Sequence, residues 1–282
     1  MRRRSGAPFA KFSGAGNDFI LLDARRAPLP RPLGDWVRAV CRRGVSLGAD
    51  GVVVIEGSRA GALRVRFYNP DGRRHAFCGN GSRCAARWEA LRRRRQGDVV
   101  LDTDAGRVRA RVHGGEVQSE LAFALGKPRR RDLRVGGRRV RGYQVKAGVP
   151  HFVLLRDVPG ARPLPPLAAR LRSHPALRGG ANVDFVGAPR HGVRPIRTYE
   201  RGVEGETLAC GSGCVAAALV LLELHPGLRS PLRFRVRSGA IISIRFRRRS
   251  GRPDAWRLCG EARLICEGRV GTGALGLRGG PA

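Results

Sequence analysis

Long apolar runs and a secretion signal are absent from this 282-residue sequence. Its longest apolar run, residues 215–222, is too short to cross a bilayer, which takes about 20 apolar residues, and it is typical of a buried helix face. The basic start is not followed by the apolar stretch of a signal peptide before patterned sequence begins near Phe9. We therefore expect a cytoplasmic protein with no membrane partner.

Acidic and aromatic residues are scarce. Lysine and arginine number 55 against 22 acidic residues, which gives a net charge of +33, and aromatic residues make up only 6%. Arginines occur in every segment, as at 92–95, 129–131 and 247–249, with few interleaved aromatic residues for base stacking. Such diffuse charge favours nonspecific polyanion binding, and a specific nucleic-acid function stays open as a rival hypothesis.

Cysteines are few and scattered, and they lack the Cys-x-x-Cys spacing of structural zinc sites. An odd count of seven without a secretion signal argues against a disulfide framework, so we predict free thiols and no metal. Cys84 and Cys214 are predicted to be small buried residues. Cys41, Cys259 and Cys266 are predicted to be core or incidental residues.

Short β-branched runs alternate with a few helical stretches, and the length allows two domains, each with its own core. Helices are predicted at 35–43, 82–94 and 213–224. Strands are predicted at 10–12, 19–23, 52–55, 63–68, 99–102 and 108–112, and in the second half at 153–155, 181–186, 193–199, 232–236, 241–246 and 261–267.

One short motif occurs twice, as Cys78-Gly79-Asn80-Gly81 and as Cys210-Gly211-Ser212-Gly213. Each copy follows a strand and a polar turn and precedes small, helix-compatible residues, so each cysteine is predicted at a helix N-terminus. There the helix dipole and free backbone N–H groups favour thiolate over thiol. The repeat indicates an internal duplication, with a boundary near 121–128 and an active site between the copies.

Two such thiols suit a reaction at the α-carbon of an amino acid. Inverting that centre needs a base on one face and an acid on the other, and a thiolate and a thiol can exchange these roles. The backbone N–H groups at the two helix starts could hold the substrate carboxylate. These groups belong to Gly79, Asn80, Gly211 and Ser212.

Several further segments extend this pattern. They are K-F-S-G-A-G-N-D-F at 11–19, G-A-D-G at 48–51, N-P-D-G at 69–72, C-G-N-G-S-R-C at 78–84, A-N-V at 181–183, Y-E-R-G at 199–202 and A-C-G-S-G at 209–213. With this order and spacing over residues 9–270, the sequence closely resembles the diaminopimelate epimerase family.

The resemblance implies an α+β (mixed α/β) fold with two pseudo-symmetric domains. Each domain is expected to be a curled mixed sheet or barrel around a central helix, with the active site in the cleft between them. The expected domains are residues 9–122, joined by a returning C-terminal strand at 262–275, and residues 123–261. A homodimer is the expected assembly.

The resemblance also implies the reaction and its residues. Family members interconvert LL- and meso-diaminopimelate, on the route to lysine and peptidoglycan precursors, without pyridoxal phosphate, other cofactor or metal. Cys78 and Cys210 match the acid/base pair. Other matched positions are Asn17, Asn69, Asn182 and Arg201 at the distal end of the substrate, Glu200 at the distal ammonium or a thiol, and His151 near the thiols.

One position departs from the family pattern. Val149 stands where many relatives have asparagine, which removes one amide near the distal carboxylate and predicts looser specificity. The main alternative is a cofactor-independent racemase of the same fold that acts on another amino acid. Asn69, Asn182 and Arg201 favour a long substrate with a second amino-acid head.

Overall fold

The computed structural model describes residues 6–59, 61–121, 123–156, 160 and 163–271, and these fall into two compact units. The described residues of Met1–Ala122 and of Glu261–Ala282 form the N-terminal unit, and those of Phe123–Gly260 form the C-terminal unit. Residues 122 and 272–275, which the predicted domain bounds include, lie outside the described part.

The described part of the N-terminal unit contains two helices, and each of the seven strands predicted within it has a counterpart. Its elements are β1 (Ala7–Gly14), β2 (Asn17–Asp23), α1 (Leu33–Val40), β3 (Gly51–Arg59), β4 (Ala62–Tyr68), β5 (Arg74–His75), α2 (Gly79–Arg92), β6 (Gly97–Thr103), β7 (Gly106–His113), β8 (Glu116–Glu120) and β18 (Arg263–Val270).

The sheet of the N-terminal unit is mixed and curls around α2. β2 runs parallel to β3, and β4 runs parallel to β6. β1 pairs antiparallel with both β2 and β18. The helix α2 packs against eight strands of this unit. Its small residues and Trp88 are buried among them, and Trp88 meets the Phe12 ring edge to face with centroids 6.1 Å apart. This helix, buried along most of its length, is therefore the centre of the larger hydrophobic core of this unit, and a second core lies around α1.

The C-terminal unit repeats this plan with different strands. Its elements are β9 (Arg129–Val135), β10 (Arg138–Ala147), β11 (Val149–Leu155), α3 (Leu167–Arg172), β12 (Asn182–Val186), β13 (Val193–Glu200), β14 (Gly205–Thr207), α4 (Gly211–Leu224), β15 (Leu232–Arg235), β16 (Ile241–Arg249) and β17 (Arg252–Glu261), the last residue of which belongs to the N-terminal unit.

The helix α4 is the central element of the C-terminal unit. β11 and β12 run parallel, β12 and β13 antiparallel, and α4 packs against β10, β11, β12 and β16. The apolar run 215–222 lies in α4 and is buried at nearly every position. Both units thus place the start of a buried helix beside the ends of sheet strands, and the predicted α+β class is confirmed.

The prediction missed β5, β8, β9, β10, β14 and β17 as well as α3. In β9, with sequence R-R-R-D-L-R-V, only Leu133 is buried, so arginines at the exposed positions hide the alternation that marks a strand. The predicted helix at 35–43 ends earlier, at Val40. Four of the five cysteines that the prediction placed in the core or left incidental are buried, whereas Cys266 is exposed on β18.

No helix in the described part of the chain has the length and apolar character needed to cross a membrane.

Candidate active site

Cys78 is the N-cap residue of α2. Its backbone is extended (φ −136°, ψ 113°), and its Sγ accepts the N–H of Gly81 at 3.4 Å. Gly81 allows this tight start, since a Cβ there would lie 3.1 Å from the Phe67 ring and 3.2 Å from Val53. The sequence therefore folds so that the thiol itself caps the helix, as the duplicated motif predicted.

Cys210 is the N-cap residue of α4 in the same way. Its backbone is extended (φ −115°, ψ 105°), and its Sγ accepts the N–H of Gly213 at 3.4 Å. Sγ also lies 3.4 Å from the Ser212 hydroxyl oxygen. Within the described residues, the N–H groups of Gly211 and Ser212 donate no hydrogen bond, so they can bind an anion.

The surroundings of Cys210 favour the thiol and not the thiolate. Burial, together with the nearby charges of Glu200 and Asp184, raises the pKa of Cys210 well above its ordinary value, and the hydrogen bonds from Ser212 and Gly213 only partly oppose this. The helix start that should favour a thiolate is present, but burial beside two carboxylates outweighs it. For Cys210 the prediction of a thiolate-favouring setting was wrong.

Glu200 lies against this thiol at the end of β13. Burial raises the pKa of the Glu200 carboxyl, while hydrogen bonds from Thr207, at 2.5 Å, and from the Cys210 thiol work in the other direction. Glu200 was predicted to contact either a substrate ammonium or a thiol. In this structure it contacts the Cys210 thiol. A carboxylate whose pKa is raised is a suitable proton acceptor at neutral pH.

His151 lies in β11, and a buried carboxylate holds its ring. Its Nδ1 is 2.7 Å from Oδ2 of Asp184, and its Nε2 is 3.1 Å from the Ser212 hydroxyl oxygen. Thr198 donates to the other Asp184 oxygen at 2.8 Å. The side chains of His151 and Asp184 have no solvent exposure.

Sequence reasoning missed Asp184 and Thr198. The signal was present, because Asp184 stands at the centre of β12, N-V-D-F-V, whose five residues are all buried. A carboxylate in such a strand must have hydrogen-bonding partners.

Asn17 and Asn80 form part of a hydrogen-bonded chain in the N-terminal unit. The Asn80 amide donates to Oδ1 of Asn17, and the Asn17 amide donates to Asp50 at 3.0 Å. At the other end, the fully buried Arg83 guanidinium donates to Oδ1 of Asn80 at 2.6 Å. Each amide thus has a fixed orientation. Arg83 and Asp50 set that orientation. No substrate role was predicted for either residue.

Asn182 and Arg201 are joined in the C-terminal unit. Asn182 is buried at the start of β12, and its Oδ1 accepts the backbone N–H of Arg201 at 2.9 Å. The Arg201 guanidinium is held by the Gly179 carbonyl at 2.8 Å while the residue stays exposed. This arrangement leaves guanidinium N–H groups for an anionic ligand.

Two remaining positions are exposed. Asn69 lies in the turn after β4, where its carbonyl accepts the Gly72 N–H at 2.9 Å. Val149 begins β11 with 39% of its surface exposed. The predicted site residues therefore fall into two groups, one in each unit. Asn17, Asn69, Cys78, Gly79 and Asn80 lie in the first; His151, Asn182, Glu200, Arg201, Cys210, Gly211 and Ser212 lie in the second.

Solved structures resemble the fold of this chain. A member of the phenazine biosynthesis protein PhzF family from Enterococcus faecalis superposes with a TM-score of 0.72 at 14% identity, covering 94% of this chain and 99% of that one. A probable proline racemase from Agrobacterium radiobacter K84 gives a TM-score of 0.67 at 16% identity, covering 94% and 93%.

Sequence relatives are more informative about the family. A family model described as diaminopimelate epimerase matches residues 9–130 and 143–249. A diaminopimelate epimerase of Aquifex aeolicus is 36% identical over 251 residues, which cover 84% of this chain and 89% of the relative. One of Chlorobaculum tepidum is 33% identical over 261 residues, covering 92% and 99%. This chain belongs to the diaminopimelate epimerase family.

Proposed function

We propose that this protein is an isomerase that interconverts LL- and meso-diaminopimelate, a small-molecule substrate on the route to lysine and peptidoglycan precursors. Family membership supports the reaction class. The single observation that carries the mechanism is the duplicated N-cap cysteine, because Cys78 and Cys210 start buried helices with the same backbone geometry.

Cys78 and Cys210 are the two acid/base groups of this proposal. One thiolate removes the α-proton from one face of the substrate, and the opposite thiol returns a proton to the other face, so the configuration inverts. The backbone N–H groups at the starts of α2 and α4 bind the α-carboxylate and stabilise the charge that develops as the proton leaves. The proposal uses no cofactor and no metal.

Asn17, Asn69, Asn182 and Arg201 bind the distal end of the substrate in this proposal. Arg201 pairs with the distal carboxylate, since a guanidinium can donate two parallel hydrogen bonds to it. Glu200 and His151 support the thiols. A racemase for a small cyclic amino acid would have no use for this distal set, which is why the longer substrate is preferred over the alternative.

The two units are, in this proposal, the two epimerase domains, 9–122 with 262–275 and 123–261. We further propose a cytoplasmic homodimer. The net charge of +33 then contributes only nonspecific binding to nucleic acid.

The experiment that tests the function supplies the purified protein with LL-diaminopimelate, proline or hydroxyproline in deuterated water. The proposal predicts α-deuterated meso-diaminopimelate and no exchange on the other two. Cys78→Ala and Cys210→Ala should each abolish turnover, whereas Cys266→Ser, which changes an exposed cysteine, should keep it. Exchange on proline or hydroxyproline alone would replace this proposal with the alternative racemase.

A further inference from the structure

A four-residue loop of the C-terminal unit carries Arg201. Residues 201–204 join β13, which ends at Glu200, to β14, which begins at Gly205, and the two strands pair antiparallel on either side of the loop. Arg201 is the residue that the proposed function assigns to the distal carboxylate of the substrate. The conformation of these four residues therefore sets the position from which the Arg201 side chain extends.

Glu204 is the last residue of this loop, and it closes the loop with its backbone and its side chain. Its N–H donates to the Glu200 carbonyl at 2.9 Å, and its own carbonyl accepts the Tyr199 hydroxyl at 2.7 Å. Its carboxylate turns back over the loop and accepts the Gly202 N–H at 2.9 Å. Because Gly202 directly follows Arg201, this bond fixes the backbone on the C-terminal side of Arg201.

The backbone of Glu204 lies in the left-handed region, with φ at +54°. This region is open to glycine and unfavourable for a residue that has a Cβ. A side chain that stands there in spite of the strain indicates a role for that side chain. The contacts of the Glu204 carboxylate show what this role is.

The second partner of the Glu204 carboxylate is Arg172, the last residue of α3. Its Nη2 donates to Oε1, the same oxygen that accepts the Gly202 N–H. The side chain of Arg172 is 23% exposed and that of Glu204 52%, so the pair links a partly enclosed helix end to a surface loop. The Gly202 N–H, Arg172 and Arg201 hold the pKa of the Glu204 carboxyl below its ordinary value, so this side chain is ionised at neutral pH.

Arg172 also holds the segment that anchors the Arg201 guanidinium. The Arg172 backbone carbonyl accepts the Ala181 N–H at 3.0 Å, and the Gly179 carbonyl, two residues earlier, accepts Nη1 of Arg201 at 2.8 Å. Gly180 lies between these two contacts. A Cβ there would lie 3.1 Å from Nη1 of Arg172 and 3.6 Å from Cδ of Arg201, so both arginine side chains lie beside the same glycine.

We propose that Glu204 and Arg172 are positioning residues for Arg201 and thereby determine how tightly the protein binds the distal carboxylate. This inference rests on the proposed function, since it adds two residues to the substrate site described there. Glu204 shapes the loop from which the Arg201 side chain extends, and Arg172 holds Glu204 at the end of α3. Neither residue takes part in the proton transfers at the α-carbon.

Direct binding of the substrate by Arg172 is the competing explanation. Its guanidinium lies beside the same glycine as the Arg201 side chain, and two cations can pair with one carboxylate. In that case the removal of Arg172 would weaken substrate binding whether or not Glu204 is present. If Arg172 acts through Glu204, its removal should have no further effect once Glu204 is gone.

The kinetic test uses full-length variants at the two positions: Glu204→Gly, Glu204→Gln, Arg172→Ala, Arg172→Lys, and Glu204→Gly combined with Arg172→Ala. For Glu204→Gly and Arg172→Ala, KM for LL-diaminopimelate should rise about 3- to 10-fold with kcat within about twofold, since an exposed ion pair and one charge-assisted hydrogen bond contribute modestly. Glu204→Gln keeps an oxygen for the Gly202 N–H, and Arg172→Lys keeps the charge, so both should raise KM less than about threefold. The double variant should match Glu204→Gly.

Glycine at position 204 also relieves the backbone strain, which separates positioning from a merely structural role. Glu204→Gly should change the melting temperature by no more than a few degrees, since strain relief offsets the lost contacts, while KM rises. His191→Gly is the matched control, because His191 has φ at +49° in an exposed turn of the same unit. Asp132→Asn removes a surface ion pair with Arg141 and is the control for charge. Both controls should keep the wild-type KM and kcat.

Three kinetic results would overturn the proposal. One is an unchanged KM in Glu204→Gly, which means that the loop holds Arg201 without this carboxylate. Another is a double variant whose rise in KM is the product of the two single rises, which makes Arg172 a direct substrate ligand. The third is a loss of kcat at unchanged KM, which assigns the pair to the reaction step instead of binding.

Amide hydrogen exchange without substrate tests the loop itself. Arg172→Ala leaves the loop sequence unchanged, so peptides that cover residues 199–209 can be compared directly with those of the wild type. The amides of residues 201–204 should exchange faster in Arg172→Ala, whereas Asp132→Asn should exchange like the wild type. Should the wild type turn over no amino acid, the proposed function fails, and this comparison alone decides whether the pair holds the loop: equal exchange in Arg172→Ala and the wild type would refute it.

Discussion

Gly213 leaves room for Asp184: a Cβ on this glycine would lie 2.4 Å from the carboxylate oxygen Oδ1. The contact joins the start of α4, which Cys210 caps, to the carboxylate that holds His151. The last glycine of the second motif copy, C-G-S-G, is therefore required for two reasons: the tight turn at the helix start, and the space taken by a side chain 29 residues earlier.

Gly213→Ala should therefore impair both stability and turnover. Asp184 cannot yield without breaking its bonds to His151 and Thr198, so we expect kcat to fall at least about tenfold and the melting temperature to drop by several degrees. Gly81→Ala should cost less, because its neighbours are an aromatic ring and a methyl group that can shift by a few tenths of an ångström. Gly227→Ala, with nothing within 4 Å, is the control. Equal effects of Gly81→Ala and Gly213→Ala would contradict this account.

Val149→Asn should tighten substrate binding. Val149 begins β11 and is 39% exposed, so an asparagine fits there and supplies the amide that many relatives have. One added hydrogen bond of about 1 kcal/mol corresponds to a KM about fivefold lower. kcat should stay within about twofold, because the proposed function places this amide near the distal end of the substrate and not near the reacting carbon. A steady-state comparison on diaminopimelate checks this. A KM unchanged or higher would show that this position is not near the distal carboxylate.

Asp23→Asn should weaken the fold in a pH-dependent way. Burial alone would raise the pKa of Asp23, but hydrogen bonds from Arg25 and Trp88 outweigh it and hold the pKa below its ordinary value of 3.8. The folded state thus binds fewer protons than the unfolded state, so this stabilisation is present above about pH 3.8 and is lost as pH falls through the lowered pKa.

Thermal melts between about pH 7 and pH 2 check this expectation. The melting temperature of Asp23→Asn should lie below that of the wild type at pH 7, and the two curves should converge in acid. Asp98→Asn removes an exposed ion pair with Arg111 and should follow the wild type throughout. A constant offset down to pH 2 would exclude the charge of Asp23 as the cause.

Binding to nucleic acid should depend on salt and not on sequence. With a net charge of +33 the protein should bind duplex DNA at low ionic strength and release it by about 0.15 M salt, whatever the sequence. Fluorescence anisotropy with two unrelated duplexes and inorganic polyphosphate as competitor measures this. Binding that survives physiological salt and prefers one duplex would require a specific nucleic-acid function.

The site was predictable from sequence where its signal is local. The two cysteines could be placed at helix starts because glycines and small residues follow them directly, and the structure shows both as N-caps. The contacts of Asp184 with His151 and of Asp50 with Asn17 were not predicted, because the two residues of each pair are 33 positions apart in the sequence. Such contacts follow from parallel strand pairing, which residue patterns do not specify.

The strands were predictable to the extent that apolar residues alternate. β2, β3 and β4 read clearly, whereas the arginine-rich β9 did not, because its exposed arginines leave one buried residue, Leu133, to mark the strand. The charge state of Cys210 could not be predicted either. It depends on burial beside Glu200 and Asp184, which the sequence places in other strands.

Deuterium incorporation at low conversion tests the central claim, that two thiols act on opposite faces of one α-carbon. In deuterated water, the meso-diaminopimelate formed from LL-diaminopimelate should carry one α-deuterium, while the recovered LL-substrate should remain unlabelled, because each face has its own proton carrier. Equal labelling of substrate and product, or product without deuterium, would indicate a single base and contradict the account.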